Sequence, residues 1–261
     1  MYIHNLNPVL VDLGIIEIRW YSLAYIFGII FGWWLGKKLL EKKLLKNNQF
    51  LEKGFFDDFI TYIILSIIIG GRLGYIFFYN LEYYLINPLD IIKIWEGGMS
   101  FHGALIGIVI GTYFFSKKKG INLLILLDIV ACVSPIGLFF GRIANFINSE
   151  LYGKTTDVYW SVIFPTIDNF SRHPSQIYEA LLEGFCLFSI LFYLQSKKDL
   201  KDGMCSSLFL ILYGLFRIFA EQYREPDIQI GYLFNLISMG SLLSILMVFL
   251  GAIMFFKIKK R

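Results

Sequence analysis

Long apolar runs alternate along this chain with short polar connections, most of them basic. Seven runs come near the roughly 20 residues that a helix needs to cross a bilayer. They predict spans at about 20–36, 57–79, 98–116, 121–141, 176–195, 204–223 and 231–256. The third and fourth are parted only by Ser116-Lys117-Lys118-Lys119-Gly120, which reads as a tight turn. The connection from about 143 to 175 is the longest, and loops of that length usually have a function or structure of their own. Its stretch Val158-Tyr159-Trp160-Ser161-Val162-Ile163-Phe164 is β-prone. The expectation is an all-α integral membrane protein: one domain over 1–261, seven transmembrane helices, and a small extracytoplasmic cap at about 143–175.

The basic residues set the orientation. Lys37, Lys38, Lys42, Lys43, Lys46 and Lys53 fall in the first connection and Lys117 to Lys119 in the third. Lys197, Lys198 and Lys201 fall in the fifth, and Lys257, Lys259, Lys260 and Arg261 form the tail. With seven spans all of these share one face. The positive-inside rule makes that face cytoplasmic and puts the N-terminus outside. Arginine is used differently, because Arg19, Arg72, Arg142, Arg172, Arg217 and Arg224 lie in spans or on the outer side. Its planar fork suits phosphate or carboxylate, whereas Lys is a compact point charge. Snorkelling at the interface accounts for Arg19 and Arg172, but poorly for Arg72 inside an apolar helix.

Composition agrees with this reading. Of 261 residues 57% are hydrophobic, far more than a soluble domain of this size carries. No Arg- or Lys-rich arm points to nucleic acid. Met1 to Arg19 has no basic segment ahead of an apolar one, so no cleavable signal peptide is expected and the first span acts as the insertion signal. Cys132, Cys186 and Cys205 form no CxxC pair and read as buried soft filler.

The densest polar run is Gly141-Arg142-Ile143-Ala144-Asn145-Phe146-Ile147-Asn148-Ser149-Glu150, at the outer end of the fourth span. A guanidinium there is costly unless something anionic holds it, so a charged head group at the membrane surface is expected. Arg142 and Asn145 share a face if the helix continues. The run Gly97 to Gly107 places His102 at the outer start of the third span. Its near-neutral pKa suits general-base work, and an interfacial histidine with a structural hydrogen bond is the plainer role. Arg217, Glu221 and Arg224 fall at i, i+4 and i+7, one helical stripe that Pro226 is expected to end. An ion-pair ladder accounts for Glu221 with Arg224, while Arg217 lies deeper, where it suits an anion from substrate. Ser175 is placed to cap the fifth span, and Glu179, inside that apolar helix, needs a cationic partner. Gly70 and Gly74 allow a close helix contact, with Arg72 between them in a supporting role, paired with an acid such as Asp128 or Glu179. Trp20 and Tyr21 fit an interfacial aromatic belt.

Together these segments resemble the prolipoprotein diacylglyceryl transferase family. The matching stretches are Gly98-Met99-Ser100-Phe101-His102-Gly103, Gly141-Arg142 with Asn145 to Asn148 and Glu150, Arg172-His173-Pro174-Ser175-Gln176, and Tyr213-Gly214 with Phe216-Arg217. The resemblance implies a bacterial enzyme of the cytoplasmic (inner) membrane, multi-pass, with its active site toward the outer face. It implies transfer of the diacylglyceryl group of phosphatidylglycerol, a membrane lipid, to the lipobox cysteine in the signal peptide of a preprolipoprotein. Glycerol phosphate is released, and no metal or cofactor is implied. By resemblance Arg142 and Arg217 are the arginines that stabilise the leaving phosphate, and His102 is the candidate base. Tyr21, Asn145, Glu150, Gly153 and Arg224 position head group or peptide, with Arg72, Glu179 and Glu221 in support. Ala104, Ala144 and Ser149 stand where the family often has glycine. These changes narrow lipid access without removing a charged candidate.

Two other classes compete. A transporter would carry polar groups through the full membrane depth, broken spans or inverted repeats, and the chain shows no repeat. A structural scaffold would leave Arg142 and Arg217 without partners.

Overall fold

A computed structural model of the chain describes residues 1–14, 17–46, 52–197, 200–226, 232–233 and 237–260. Lys198, Asp227 and Arg261 lie outside the described residues. Two compact units form, one from Met1–Leu39 with Asp128–Arg261, the other from Leu40–Leu127. Among the described residues, six helices are long and apolar enough to cross a membrane. Many of their large side chains face outward, among them Phe27, Ile30, Phe77, Phe249 and Phe256. Apolar surface on that scale fits lipid rather than water.

In the second unit, α2 (Phe55–Tyr79) is followed by a short α3 (Leu81–Ile86), two 3-10 turns over Pro88–Ile92 and Ile94–Glu96, and α4 (Phe101–Lys119). α1 (Trp20–Lys46) belongs to this unit only beyond Leu39. The expected seven apolar spans are six among the described residues, because α4, though long enough, is not apolar enough. Its 19 residues begin beside His102 and end on Lys117, Lys118 and Lys119, which dilute the apolar run. Those lysines are helical rather than a turn, and the turn falls at Gly120, which caps α4 with φ +68°. Only glycine adopts that conformation without strain.

α2 and α4 meet through glycines. A Cβ on Gly74 would lie 2.5 Å from the Gly103 Cα, and one on Gly70 would lie 2.8 Å from the Gly107 Cα. Two small residues one turn apart on each helix let the backbones touch, which supplies dispersion contacts that lipid cannot.

In the first unit, a β2–β3 hairpin (Val9–Asp12, Glu17–Arg19) leads into α1, and α5 (Leu123–Ile147) belongs to this unit from Asp128 onward. α5 runs on through Arg142 and Asn145 to Ile147, six residues past its expected end at 141. The fifth span is one helical rod built from α6 (Ser175–Glu179), a π-helical segment (Ala180–Cys186) and α7 (Leu187–Lys197). α8 (Met204–Glu221) ends five residues before Pro226, so that proline does not stop it. Asp128 of α5 supplies the missing cap for α8, accepting from the backbone N–H groups of Gly203 and Ser206, each at 2.7 Å. α9 (Met239–Lys260) starts eight residues after the expected 231, because Tyr232–Leu233 and Ile237–Ser238 pair as a small hairpin, β6–β7.

Outside the helices sits a three-stranded sheet. The N-terminal strand β1 (Tyr2–Ile3) pairs in parallel with β4 (Val162–Ile163), which pairs antiparallel with β5 (Ser171–Arg172). Of the β-prone stretch Val158–Phe164 only two residues become strand. His4 follows β1 into a buried position, its ring 5.2 Å from those of Phe146 and Phe164 and its Nδ1 3.2 Å from the Ser149 hydroxyl. Burial holds the imidazole below its ordinary value, an effect the Phe146 backbone only partly offsets.

Two outcomes follow. Gly74→Val should destabilise the protein by about 1–3 kcal/mol through overpacking, read as a lower unfolding midpoint in detergent. His4 is neutral when buried, so its contribution is complete above the unfolded value of 6.5 and is lost as pH falls below it. Protection of residues 2–4 against backbone hydrogen exchange, corrected for the intrinsic pH dependence of exchange, should therefore fall on acidification below that pH relative to the β6–β7 hairpin, and an equal fall in both would assign the effect to something other than His4.

Candidate functional site

Polar chemistry in the first unit gathers where α5, the Ser175–Lys197 rod and α8 meet. The rod contributes Glu179 and Glu183, one turn apart, neither with any exposed side-chain surface. From α5, the Arg142 Nε lies 2.8 Å from Glu179 Oε2 and its Nη2 3.3 Å from Glu183 Oε2. From α8, the Arg217 Nη1 lies 3.2 Å from Glu179 Oε2 and 3.4 Å from Glu183 Oε1. Arg217 also pairs through Nη2 with Glu221. Glu221 in turn receives Arg224 at 3.2 Å and the Ser238 hydroxyl at 2.8 Å. Three guanidinium groups and three carboxylates therefore form one continuous, desolvated network. Such a network persists because every member is paired, and removing one partner strands another in low dielectric.

This arrangement corrects one argument. The structure gives Arg142 and Arg217 carboxylate partners within the protein, so their need for an anion does not by itself exclude a scaffold. Glu183 was missed in the sequence. Its signal was there: an acid four residues after Glu179 on the same face of an apolar helix.

The first unit holds further candidates. Asn145 donates to Glu150 Oε2 at 3.1 Å and Asn148 to Glu150 Oε1 at 3.3 Å, so the end of α5 folds back on itself. The turn needs Ser149 at φ +58° and Leu151 at φ +54°, a region unfavourable for both. Ser149 is one of the positions where a glycine would be at ease. Tyr21 accepts a hydrogen bond from the Tyr25 hydroxyl at 3.4 Å, and Tyr25 lies within electrostatic range of Glu150 and Arg142.

Gly153 is held where no side chain fits. It forms a bridge with Arg224 and donates to the His173 carbonyl at 3.1 Å. A Cβ there would collide with that carbonyl and would lie 2.8 Å from the Tyr223 carbonyl. The loop after α5 is thus stitched to the chain leaving α8, which fixes Arg224. Arg172 closes the same region from beneath, and the snorkelling role is not what it does. Its Nη2 pairs with Asp168 at 2.6 Å, its Nη1 donates to the Gly153 carbonyl at 3.0 Å, and its guanidinium stacks 4.7 Å from the Tyr152 ring. That guanidinium holds the Asp168 carboxyl below its usual range. Ser175 does not cap its helix, and instead donates to the Leu151 carbonyl at 3.0 Å, while Gln176 donates to that of Glu150 at 2.6 Å.

His102 and Arg72 belong to the second unit. Ser100 caps α4 by accepting from the Gly103 N–H at 3.2 Å, which places half-buried His102 in the first turn. Arg72 pairs with neither Asp128 nor Glu179, which are engaged as described. It donates to the carbonyls of Asp90 (2.6 Å), Ile91 (2.9 Å), Lys93 (3.2 Å) and Gly97 (2.5 Å). One guanidinium therefore gathers the 90–98 loop ahead of His102.

Glu179→Ala should cost about 3–5 kcal/mol by stranding Arg142 and Arg217. Denaturant unfolding in detergent measures it, and a loss below about 1 kcal/mol would mean that water or lipid already screens the pair.

Comparison with known proteins agrees with the motifs. The family model described as prolipoprotein diacylglyceryl transferase matches residues 8–257. A phosphatidylglycerol–prolipoprotein diacylglyceryl transferase of Rickettsia bellii is 49% identical over 262 residues, covering 98% of this chain and 97% of the relative. The enzyme of the same name from Rickettsia typhi is 50% identical, covering 97% and 96%. That of Rickettsia rickettsii is 51% identical, covering 95% of each. The chain belongs to the prolipoprotein diacylglyceryl transferase family.

Proposed function

We propose that this chain transfers the diacylglyceryl group of phosphatidylglycerol to the cysteine thiol of a prolipoprotein lipobox, the first step of lipoprotein maturation. Family membership over nearly the whole chain supports the activity. The observation that carries the chemistry is the convergence of Arg142 and Arg217 on one pair of carboxylates. Two guanidinium forks from different helices are held at the spacing of an oxyanion, which is what a phosphate needs from its surroundings.

In this reading the cysteine sulfur attacks the glyceryl carbon, the S–C bond forms, and the C–O bond to phosphate breaks. The electron pair leaves on the phosphate oxygen, and Arg142 and Arg217 stabilise the charge that develops there. The thiol must shed its proton, since the thiolate is the nucleophile and a free cysteine has a pKa of about 8.5. His102 is the candidate acceptor. Asn145 and Glu150, joined by their hydrogen bond, position the head group or peptide together with Tyr21. Gly153 keeps the outer loop against Arg224. Arg72, Glu179 and Glu221 support the site.

Seven spans complete the topology if α4 crosses the membrane despite its lysine-rich end. The N-terminus then lies outside, the lysine clusters are cytoplasmic, and the site opens toward the outer face of the bacterial inner membrane. Substrates that begin and end in the bilayer fit access from the side, between helices.

Purified protein mixed with phosphatidylglycerol and a lipobox peptide tests the proposal. Glycerol phosphate should be released, only with a peptide that retains its cysteine, and Arg142→Ala should lower the rate by about 100-fold or more, as loss of an oxyanion donor does. Folded protein that releases nothing with both substrates present would refute the transferase reading and leave the arginines as structural ion pairs.

A further inference from the structure

The network at Arg142 and Arg217 is balanced before any lipid arrives. Arg142, Arg217 and Arg224 face Glu179, Glu183 and Glu221, and Glu150 stands at the end of α5. A phosphodiester brings one more negative charge into this low-dielectric region. Like charges crowded together there oppose one another unless one of them is neutralised. The carboxylate with the weakest hold is Glu183. Its contacts to Arg142 and Arg217, 3.3 and 3.4 Å, are the longest in the network, whereas Glu179 holds Arg142 at 2.8 Å. Glu183 is also fully buried, so water cannot screen its charge once the site is occupied.

We infer that Glu183 takes up a proton when an anionic phosphodiester lipid binds, which transfers the Arg142 and Arg217 forks from carboxylate to phosphate. The proton comes from bulk solvent: an O–H bond forms on the Glu183 carboxyl as one breaks in a hydronium ion or buffer acid, and no other covalent bond changes. The inference rests on the reading of these arginines as the phosphate site, and it makes Glu183 a positioning residue that acts through them. The charged and titratable groups that face it are Arg142 from α5, Arg217 and Tyr213 from α8, and Glu179 on its own helix. Neither arginine releases a proton in the accessible range, and Tyr213 starts neutral, so only the two glutamates can accept one.

Linkage makes the idea measurable. If binding takes up one proton, affinity for phosphatidylglycerol falls by as much as about tenfold per pH unit once Glu183 is ionised in the free protein. The phosphodiester itself does not titrate there, and without peptide no thiol contributes. Binding of full-length protein to phosphatidylglycerol in mixed micelles with phosphatidylcholine would be followed from pH 5 to 9. The expected result is a falling affinity in the wild type and a flat, higher affinity in Glu183→Gln at alkaline pH. A slope that survives Glu183→Gln but vanishes in His102→Gln would overturn the assignment. Calorimetry of the unmodified protein in buffers of different ionisation enthalpy counts the protons directly. A count of zero with lipid bound would refute the inference even if Glu183→Gln does not fold. Transfer activity in the same preparation separates the two readings: active enzyme without proton uptake defeats only this inference, and inactive folded protein defeats the transferase reading.

Discussion

Desolvated charge is the constraint on which the site depends. Arg142, Arg217, Glu179 and Glu183 lie on three helices that would otherwise present apolar faces to one another. None of these groups can retreat to water without dragging its helix, so the pairs fix the relative rotation of α5, the Ser175–Lys197 rod and α8. Apolar packing alone specifies that rotation weakly within a bilayer, where lipid tails compete with side chains for the same contacts. The π-helical segment falls among the two glutamates, spanning Ala180–Cys186. Wide turns of this kind are uncommon and often mark functional positions. Gly184 in the same segment brings the rod so close to α5 that a Cβ would lie 2.6 Å from the Phe139 Cβ.

The loop between α5 and the Ser175–Lys197 rod is governed by backbone rather than by a core. Its strands are two residues long, too short to stand alone. Arg172, Gly153 and the N-terminal strand hold it instead, through carbonyls and one compact ion pair with Asp168. Glu150 and Arg224 sit at the two ends of that stitching. Their positions are therefore set by contacts remote from either side chain, which is how a surface loop can present polar groups with a fixed geometry.

Periodicity and charge placement were enough to read the helices, because burial in lipid makes hydropathy a direct signal. The glycine contact between α2 and α4 was legible for the same reason: Gly70 and Gly74 carry their spacing in sequence. Helix ends were not. α5 outran its apolar stretch because Arg142 and Asn145 found partners inside the protein, and α9 began late because residues 232 and 238 preferred to pair as strands. Partners were the least legible feature. Arg72 looked like half of an ion pair, yet its acceptors are backbone carbonyls, which every residue has and no sequence pattern singles out. Ser175 looked like a cap by position, but a carbonyl of the adjacent loop competes for its hydroxyl. The β1 strand was invisible because its partner β4 is 160 residues away.

Under the proposed function the network takes an anion, and its internal balance is compatible with that role. Two unpartnered guanidinium groups at this depth would repel each other and pull in water or counter-ions, and neither would keep a fixed orientation. Carboxylates supply the same planar, two-oxygen face that a phosphate presents, so they keep both forks aligned while the site is empty. Exchange of one oxyanion for another then requires little reorganisation of the arginines. What must change is the charge that departs or is neutralised, and among the described residues Glu183 is the buried acid with the longest contacts to both forks. The geometry that stabilises the fold is in this way also one that, under the proposed function, would present both forks to a phosphate.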